Sequence, residues 1–240
     1  MNLQPTNFKL EDTTVWSFPT RGSWATHTGN YRGNWSPYIP RNLILKYSNP
    51  GEWVLDQFMG SGTTLVEAKL LNRNAYGIDI NSQAVSMARK NLVFRCNTKS
   101  NIYTKIGDAS NMNFIMDNSF DLICMHPPYA DIIKYSQGIE GDLSLLPTEK
   151  FLKKMDDVAA EAYRVLKPGK KCATMMGDIR KKGKVIPLGF KTMERFLSSG
   201  FLLEEIIIKE QHNCRSTSYW ETRKNNFLLL AHEYIFVFQK

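Results

Sequence analysis

The stretch Trp53 to Thr64, WVLDQFMGSGTT, restricts the folds open to this chain more than any other. Trp53 to Phe58 is an apolar run interrupted by Asp56, the character of a buried parallel strand, and it ends in a turn holding Gly60 and Gly62. Thr63 to Leu71 then has helical composition, with an apolar stripe at Leu65, Val66, Ala68 and Leu70. Strand, glycine turn and helix in direct succession predict a cradle in which a ligand lies against the main chain at a helix N-terminus, because glycine tolerates positive φ and close approach. The turn lacks GxGxxG, and it lacks the Lys and Ser/Thr of GxxxxGK[ST]. NAD and ATP are therefore poorly supported, and a small cofactor with little phosphate fits better. For a lone GxG the plain alternative is an ordinary βα turn, so the decision falls to its surroundings.

Those surroundings repeat the pattern. Ala75 to Ile80 (AYGIDI) predicts a second strand ending at Asp79, 23 residues after Asp56, the length of one strand–helix–strand unit. An acid at that strand end can accept from both hydroxyls of a ribose. Asn81 starts a helix running to about Phe94, and Ile102 to Gly107 predicts a third strand followed by Asp108, which could accept from an adenine amino group. Each acid alone could be a helix cap, yet three successive strands end in GSG, Asp and Asp. Phe120 to Met125 (FDLICM) predicts a fourth strand running straight into His126-Pro127-Pro128-Tyr129, where two prolines hold the backbone extended with its carbonyls free. A polar loop or short helix over 130–147, an amphipathic helix from Phe151 to Leu166 stopped by Lys167-Pro168-Gly169, a strand at Lys171 to Met176 and a helix at Phe190 to Ser199 follow. Leu202 to Lys209 and Leu228 to Phe238 predict a closing antiparallel pair joined by the insert 211–226.

Ahead of the glycine turn, Ile39 to Tyr47 predicts a short helix with Pro40 near its start, and residues 1–38 read as an irregular segment rich in Trp, Tyr, Gly, Asn and Pro. That segment could stack on bases, or could pack on the domain through its tryptophans. A chain of 240 residues can bury one large core, so one domain over 1–240 is expected. No apolar stretch approaches membrane-spanning length, and the N-terminus lacks the pattern of a signal peptide, so a cytoplasmic protein without membrane contact is expected. Cys96, Cys124, Cys172 and Cys214 stand far apart without a CxxC pair, which predicts reduced thiols and no metal site.

The net charge of +8 is unevenly spread: residues 1–50 carry five Lys/Arg against two acids, residues 180–240 eleven against six, and residues 51–179 fifteen of each. Basic flanks around a neutral middle suit a polyanion, and equally suit solubility.

FMGSGTT at Phe58 to Thr64, Asp79, GDA at Gly107 to Ala109 and PPY at Pro127 to Tyr129, in that order, resemble the S-adenosylmethionine-dependent methyltransferases that modify exocyclic amino groups of DNA bases. The resemblance covers nearly the whole chain. It implies an α/β, Rossmann-like class I methyltransferase fold: a seven-stranded, mostly parallel sheet with an antiparallel last strand and helices on both faces. It implies that Asp56, Phe58, Gly60, Ser61, Gly62, Thr63, Thr64, Asp79, Ile80, Asp108 and Ala109 hold S-adenosyl-L-methionine, and that His126, Pro127, Pro128 and Tyr129 receive the flipped base. In such a site the Pro127 carbonyl and the side chain at 126 accept the two amine N–H groups, which localises the nitrogen lone pair, while Tyr129 stacks on the base.

The first position departs from the family, where adenine-N6 enzymes have Asp or Asn and cytosine-N4 enzymes Ser. A neutral imidazole at His126 could accept in the same way, so activity should fall as pH drops through its pKa, unless Pro127 alone accepts and His126 only shapes the pocket. The target base, adenine or cytosine, stays open. Short inserts at 130–147, 180–184 and 211–226, with the stretch 16–35, are the candidates for target recognition; Arg180, Lys181, Lys182, Lys184, Arg215, Tyr219, Trp220 and Arg223 combine phosphate contacts with stacking. The implied partner is DNA, with a homodimer and a cognate restriction endonuclease as further candidates. Methylation of RNA or of a protein glutamine, and a catalytically silent nucleic-acid-binding relative, stay open beside it.

Overall fold

The computed structural model describes residues 2–212, 221 and 227–240. In chain order its elements are β1 (Val15–Trp16), α1 (Tyr38–Tyr47), β2 (Trp53–Asp56), α2 (Thr63–Leu70), β3 (Asn74–Asp79), α3 (Ser82–Asn91), β4 (Ile102–Ile106) and β5 (Phe120–Met125). After two short 3-10 turns come α4 (Thr148–Val165), β6 (Leu166–Met176), β7 (Ile179–Lys181), β8 (Lys184–Ile186), α5 (Leu188–Ser198), β9 (Leu202–Glu210) and β10 (His232–Gln239). One sheet runs in the order β1-β9-β10-β6-β5-β2-β3-β4, in which β10 alone runs against its neighbours. The fold is Rossmann-like.

Side-chain alternation along the central strands divides the core between the two faces of the sheet. Leu55, Ile123 and Met125 pack toward α4 and α5 with Phe151, Met155 and Phe196, whereas Val54, Leu122 and Cys124 pack toward α1, α2 and α3 with Leu43, Leu65 and Val85. Because β2, β5 and β6 have helices on both sides, their apolar runs are nearly continuous, which made them legible. Burial among these side chains pushes the Cys172 thiol up to about 12 and the Cys124 thiol well above its ordinary value, leaving both inert.

The sheet has eight strands rather than the expected seven. The additional β1 lies in the segment expected to be irregular and pairs in parallel with β9, Val15 with Ile208 and Trp16 with Lys209. Two residues are too few to show an alternation, and this strand exists because β9 offers an edge to it. α4 ends at Val165, just ahead of Lys167-Pro168-Gly169, and β6 already begins at Leu166 rather than at Lys171, so Pro168 and Gly169 lie in a register shift of the ladder between Leu166 and Lys171. β10 begins at His232, four residues later than Leu228.

The turn between β2 and α2 sits close under its neighbours. A Cβ built on Gly77 of β3 would lie 2.5 Å from Met59 Sδ and 2.7 Å from Leu65 Cδ2, both of them buried side chains. Gly77→Ala is therefore expected to destabilise the fold by about 1–3 kcal/mol through overpacking, read as a lower denaturant midpoint at unchanged slope. A midpoint equal to that of the parent chain would contradict this packing.

Candidate active site

Strand order reverses between β2, whose chain neighbour β3 lies on one side, and β5 on its other side. Ligands of open α/β sheets bind outside the carboxyl ends of strands at such a point. A cavity opens there, bounded by Asp56, Gln57, Phe58, Met59 and Gly60 after β2, Asp79 and Ile80 after β3, Asp108 and Ala109 after β4, and His126 and Pro128 after β5.

The glycine turn is shaped by two left-handed residues. Gly60 has φ +50° and a side chain there would lie 2.9 Å from the Tyr31 ring, while Gly62, at φ +86°, starts α2 and approaches Ala88 of α3, where a Cβ would stand 3.0 Å from another. Gly60 thus faces the cavity and Gly62 the adjoining helix. The two acids on either side of the turn are both anchored. Asp56 accepts from Phe58 N (3.0 Å) and from the Thr64 hydroxyl; burial pushes its carboxyl up to about 7 against those bonds. Asp79 accepts from Gly60 N (2.9 Å) and Asn81 N (2.9 Å), and burial raises its pKa as well. Asp108 accepts from the amide (2.8 Å) and hydroxyl (2.6 Å) of Ser110.

Of the sequence-selected cofactor residues, Asp56, Phe58, Gly60, Thr63, Asp79, Ile80, Asp108 and Ala109 bound the cavity. Ser61, Gly62 and Thr64 support it from behind: the Ser61 hydroxyl accepts from Asn34 Nδ2 at 3.3 Å, and Ser61 O accepts from Asn91 Nδ2 at 2.9 Å. His126 and Pro128 reach the wall, whereas Pro127 and Tyr129 are not part of it. Tyr129 instead stands edge-on to His126, with ring centroids 5.5 Å apart, and its hydroxyl donates to Glu233 of β10 at 2.7 Å.

Several wall residues had no signal in a local pattern. Tyr31, Gly33, Asn34 and Trp35 reach the cavity from the N-terminal segment, and Tyr135, Gly141, Asp142 and Leu143 from the 130–147 loop. Tyr31 and Tyr135 stack at 6.1 Å and 17°, and burial raises both phenols, Tyr135 to about 12. Trp35 stacks on His126 at 5.7 Å and 18°. Of the two roles weighed for the segment, packing on the domain is seen in the burial of Trp16, Trp24 and Trp35. Gln57 donates Nε2 to Ala109 O at 3.2 Å, but its buried Oε1 has no protein partner.

His126 is held neutral. Burial pushes its pKa down to about 4, with Glu233 opposing that shift and Lys209 and Arg21 reinforcing it. The basic residues selected at Arg180, Lys181, Lys182 and Lys184 form the β7–β8 hairpin. Arg180 donates to Leu228 O (2.9 Å) with its guanidinium over the Phe227 ring, and Lys181 pairs with Asp131, two residues beyond Tyr129. The hairpin therefore borders the His126 segment. Arg215, Tyr219, Trp220 and Arg223 lie outside the described residues.

The methyltransferase domain family model matches residues 48–226, and the DNA methylase family model matches residues 4–90. Among curated proteins, the chain is 51% identical over 53 residues to the type II methyltransferase M1.MboII of Moraxella bovis, covering 20% of each. It is 29% identical over 161 residues to the tRNA (guanine(10)-N2)-dimethyltransferase of Pyrococcus abyssi, covering 67% of this chain and 44% of that one. The chain thus spans about a fifth of the first relative and under half of the second. Among solved structures, a SAM-dependent methyltransferase of Methanosarcina mazei superposes with a TM-score of 0.58 at 18% identity, over 82% of this chain and 96% of that one.

Proposed function

Since the chain belongs to the methyltransferase domain family, we propose that it transfers a methyl group from S-adenosylmethionine to the exocyclic amino group of a flipped DNA base, N6 of adenine or N4 of cytosine. The donor supplies an electrophilic methyl group on a cationic sulfonium. The cavity suits such a group in charge and in polarity: Asp56, Asp79, Asp108 and Asp142 bound it, a wall hostile to phosphate, and the partnerless Gln57 Oε1 can accept a donor hydrogen. Asp79 would accept from the ribose hydroxyls, Asp108 from the adenine amine, and Phe58 and Ile80 would pack against the ring.

The observation that carries the reading is that one cavity wall holds both these acids and His126 with Pro128. An amine placed there meets an acceptor on His126, which would draw a hydrogen out of the base plane and free the nitrogen lone pair for attack, while the Pro127 carbonyl, expected as the second acceptor, stands outside the wall. No covalent nucleophile is needed. Trp35 over His126 excludes water from that side.

DNA is favoured by the DNA methylase match over residues 4–90 and by the type II methyltransferase likeness. The longer match to a tRNA guanine-N2 enzyme supports a second reading, an exocyclic amine of RNA, which asks the same chemistry of the same wall. Incubation with labelled S-adenosylmethionine and unmethylated DNA, with total RNA in parallel, followed by nucleoside analysis, decides between them. Labelled N6-methyladenine or N4-methylcytosine supports the first, label in RNA alone the second, and label in neither pool despite donor binding a silent binding protein.

The pH profile follows from His126. Only the neutral ring accepts, and the folded-state pKa of about 4 keeps it neutral over the physiological range. The rate should therefore stay level down to roughly pH 5 and decline near 4, not near the usual histidine value of about 6.5. A histidine depressed in the fold contributes stability that is lost as pH falls from about 6.5, the unfolded value, to about 4, above and through the rate limb, so circular dichroism must accompany the rates. A limb at about 6.5 would mean a hydrated ring, and none down to about pH 3 would remove His126 from the reaction.

A further inference from the structure

His126 lies between two groups that fix its ring. Trp35 covers one face at 5.7 Å, and His126 Nε2 lies 3.1 Å from the Tyr129 hydroxyl. That hydroxyl is 2.7 Å from Glu233 Oε1, and Glu233 Oε2 is 2.9 Å from Lys209 Nζ. The direction of each bond in this chain can be assigned. A lysine-paired carboxylate only accepts, so the single Tyr129 hydrogen goes to Glu233. The tyrosine oxygen then has only a lone pair for the imidazole, so His126 Nε2 must carry the ring hydrogen. In a neutral ring this leaves the lone pair on Nδ1.

We propose that Glu233, acting through Tyr129, is a positioning residue that fixes His126 as the Nε2–H tautomer and so presents Nδ1 as the acceptor for the target amine. The inference rests on the amino-methyltransfer reading for the identity of what Nδ1 accepts, but the tautomer itself follows from the fold. An imidazole is switched from acceptor to donor at a given nitrogen by moving one proton, so a histidine standing where an ionised carboxylate would only accept needs such a partner. The arrangement also gives the Tyr129 hydroxyl an occupation apart from the base, and it explains the buried acid Glu233 in β10, directly before the apolar run Tyr234 to Phe238. Burial disfavours its charge, yet Lys209, His126 and Tyr129 bring its pKa below the usual carboxylate value.

The groups facing this imidazole come from four places: Tyr129 on its own segment, Glu233 on β10, Lys209 on β9, and Arg21 of the N-terminal segment. Glu233→Gln removes the charge and adds a donor. The Gln amide can donate to the Tyr129 oxygen, freeing the tyrosine hydrogen for His126 Nε2 and admitting the Nδ1–H tautomer. Tyr129→Phe removes the acceptor for Nε2–H altogether.

The test uses the full chain labelled with ¹⁵N-histidine, His126 being assigned by loss of its signals in His126→Gln. At neutral pH we expect the parent protein to show a protonated-type Nε2 and an unprotonated-type Nδ1. Glu233→Gln should shift both resonances toward exchange between tautomers and lower kcat on the order of 10- to 100-fold, the effect of losing an orienting partner of a functional imidazole. Donor affinity should stay unchanged, and Glu233→Asp should recover part of the Nε2–H signature. If Glu233→Gln fails to fold, Tyr129→Phe gives the same readout. A protonated Nδ1 in the parent chain, or resonances unmoved in both variants, overturns the proposal. Absence of methyl transfer to any nucleic acid by the parent chain would defeat the functional reading alone, because the tautomer is read without substrate.

Discussion

Glu67→Ala is expected to lower the melting temperature by roughly 10 °C and to weaken donor binding, although Glu67 does not touch the cavity. Glu67 is fully buried in α2 and accepts from Trp24 Nε1 (2.7 Å), His27 Nε2 (2.7 Å) and Arg41 Nη1 (2.9 Å). Arg41 in turn donates to Gln4 and lies over the rings of Phe8 and Trp24. One carboxylate thus ties α1 and the N-terminal segment to α2. Removing it leaves the buried Arg41 charge without its counterion, a loss of about 3–5 kcal/mol, and each kcal/mol shifts the transition of a domain this size by about 2–4 °C. Binding should suffer because Tyr31, Asn34 and Trp35, which bound the cavity, belong to the segment so released. Thermal melts and limited proteolysis around residues 20–35 check this. A melting temperature within about 2 °C of the parent would show that the hub contributes little.

Asp79→Ala should weaken S-adenosylmethionine binding by roughly two orders of magnitude. A carboxylate accepting from two ribose hydroxyls makes two charge-assisted hydrogen bonds, each worth about 1.5–3 kcal/mol, and about 3 kcal/mol in total already corresponds to that factor. The loss has a second origin in this fold, because Asp79 also holds Gly60 N and thereby the shape of the glycine turn. Asp79→Asn should be nearly as harmful: its amide would set a donor against one of two backbone N–H groups, Gly60 or Asn81. Calorimetric titration with the donor and with its demethylated product measures both variants. Unchanged affinity for either ligand in Asp79→Ala would remove this acid from the cofactor site.

These two residues differ in how they could be found. Asp79 was legible because its position depends on the strand–turn–helix rhythm around it, and Asp56, Asp108 and His126 were found in the same way. Glu67 was not, since in sequence it looks like any polar residue of a helix. Its partners lie 26 to 43 positions away, beyond the reach of any helical period.

What the sequence determined by itself was the set of elements and the acids at their ends. Hydrophobic periodicity acts over a few residues, and the chemistry of a GSG turn, an Asp after a strand or a pair of prolines is local as well. It therefore placed Asp56, Gly60, Asp79, Asp108 and His126 at strand ends before any packing was known. Only the tertiary structure decided what closes over them. Strand β10 enters the sheet between β6 and β9, and this brings Glu233 to Tyr129 across 104 positions of chain. The N-terminal segment folds back by its tryptophans to bring Tyr31 and Trp35 over a cavity formed by strands later in the chain. Which residues meet across a sheet depends on strand order and on whole-surface burial, both of them sums over distant contacts, and so no local pattern records them.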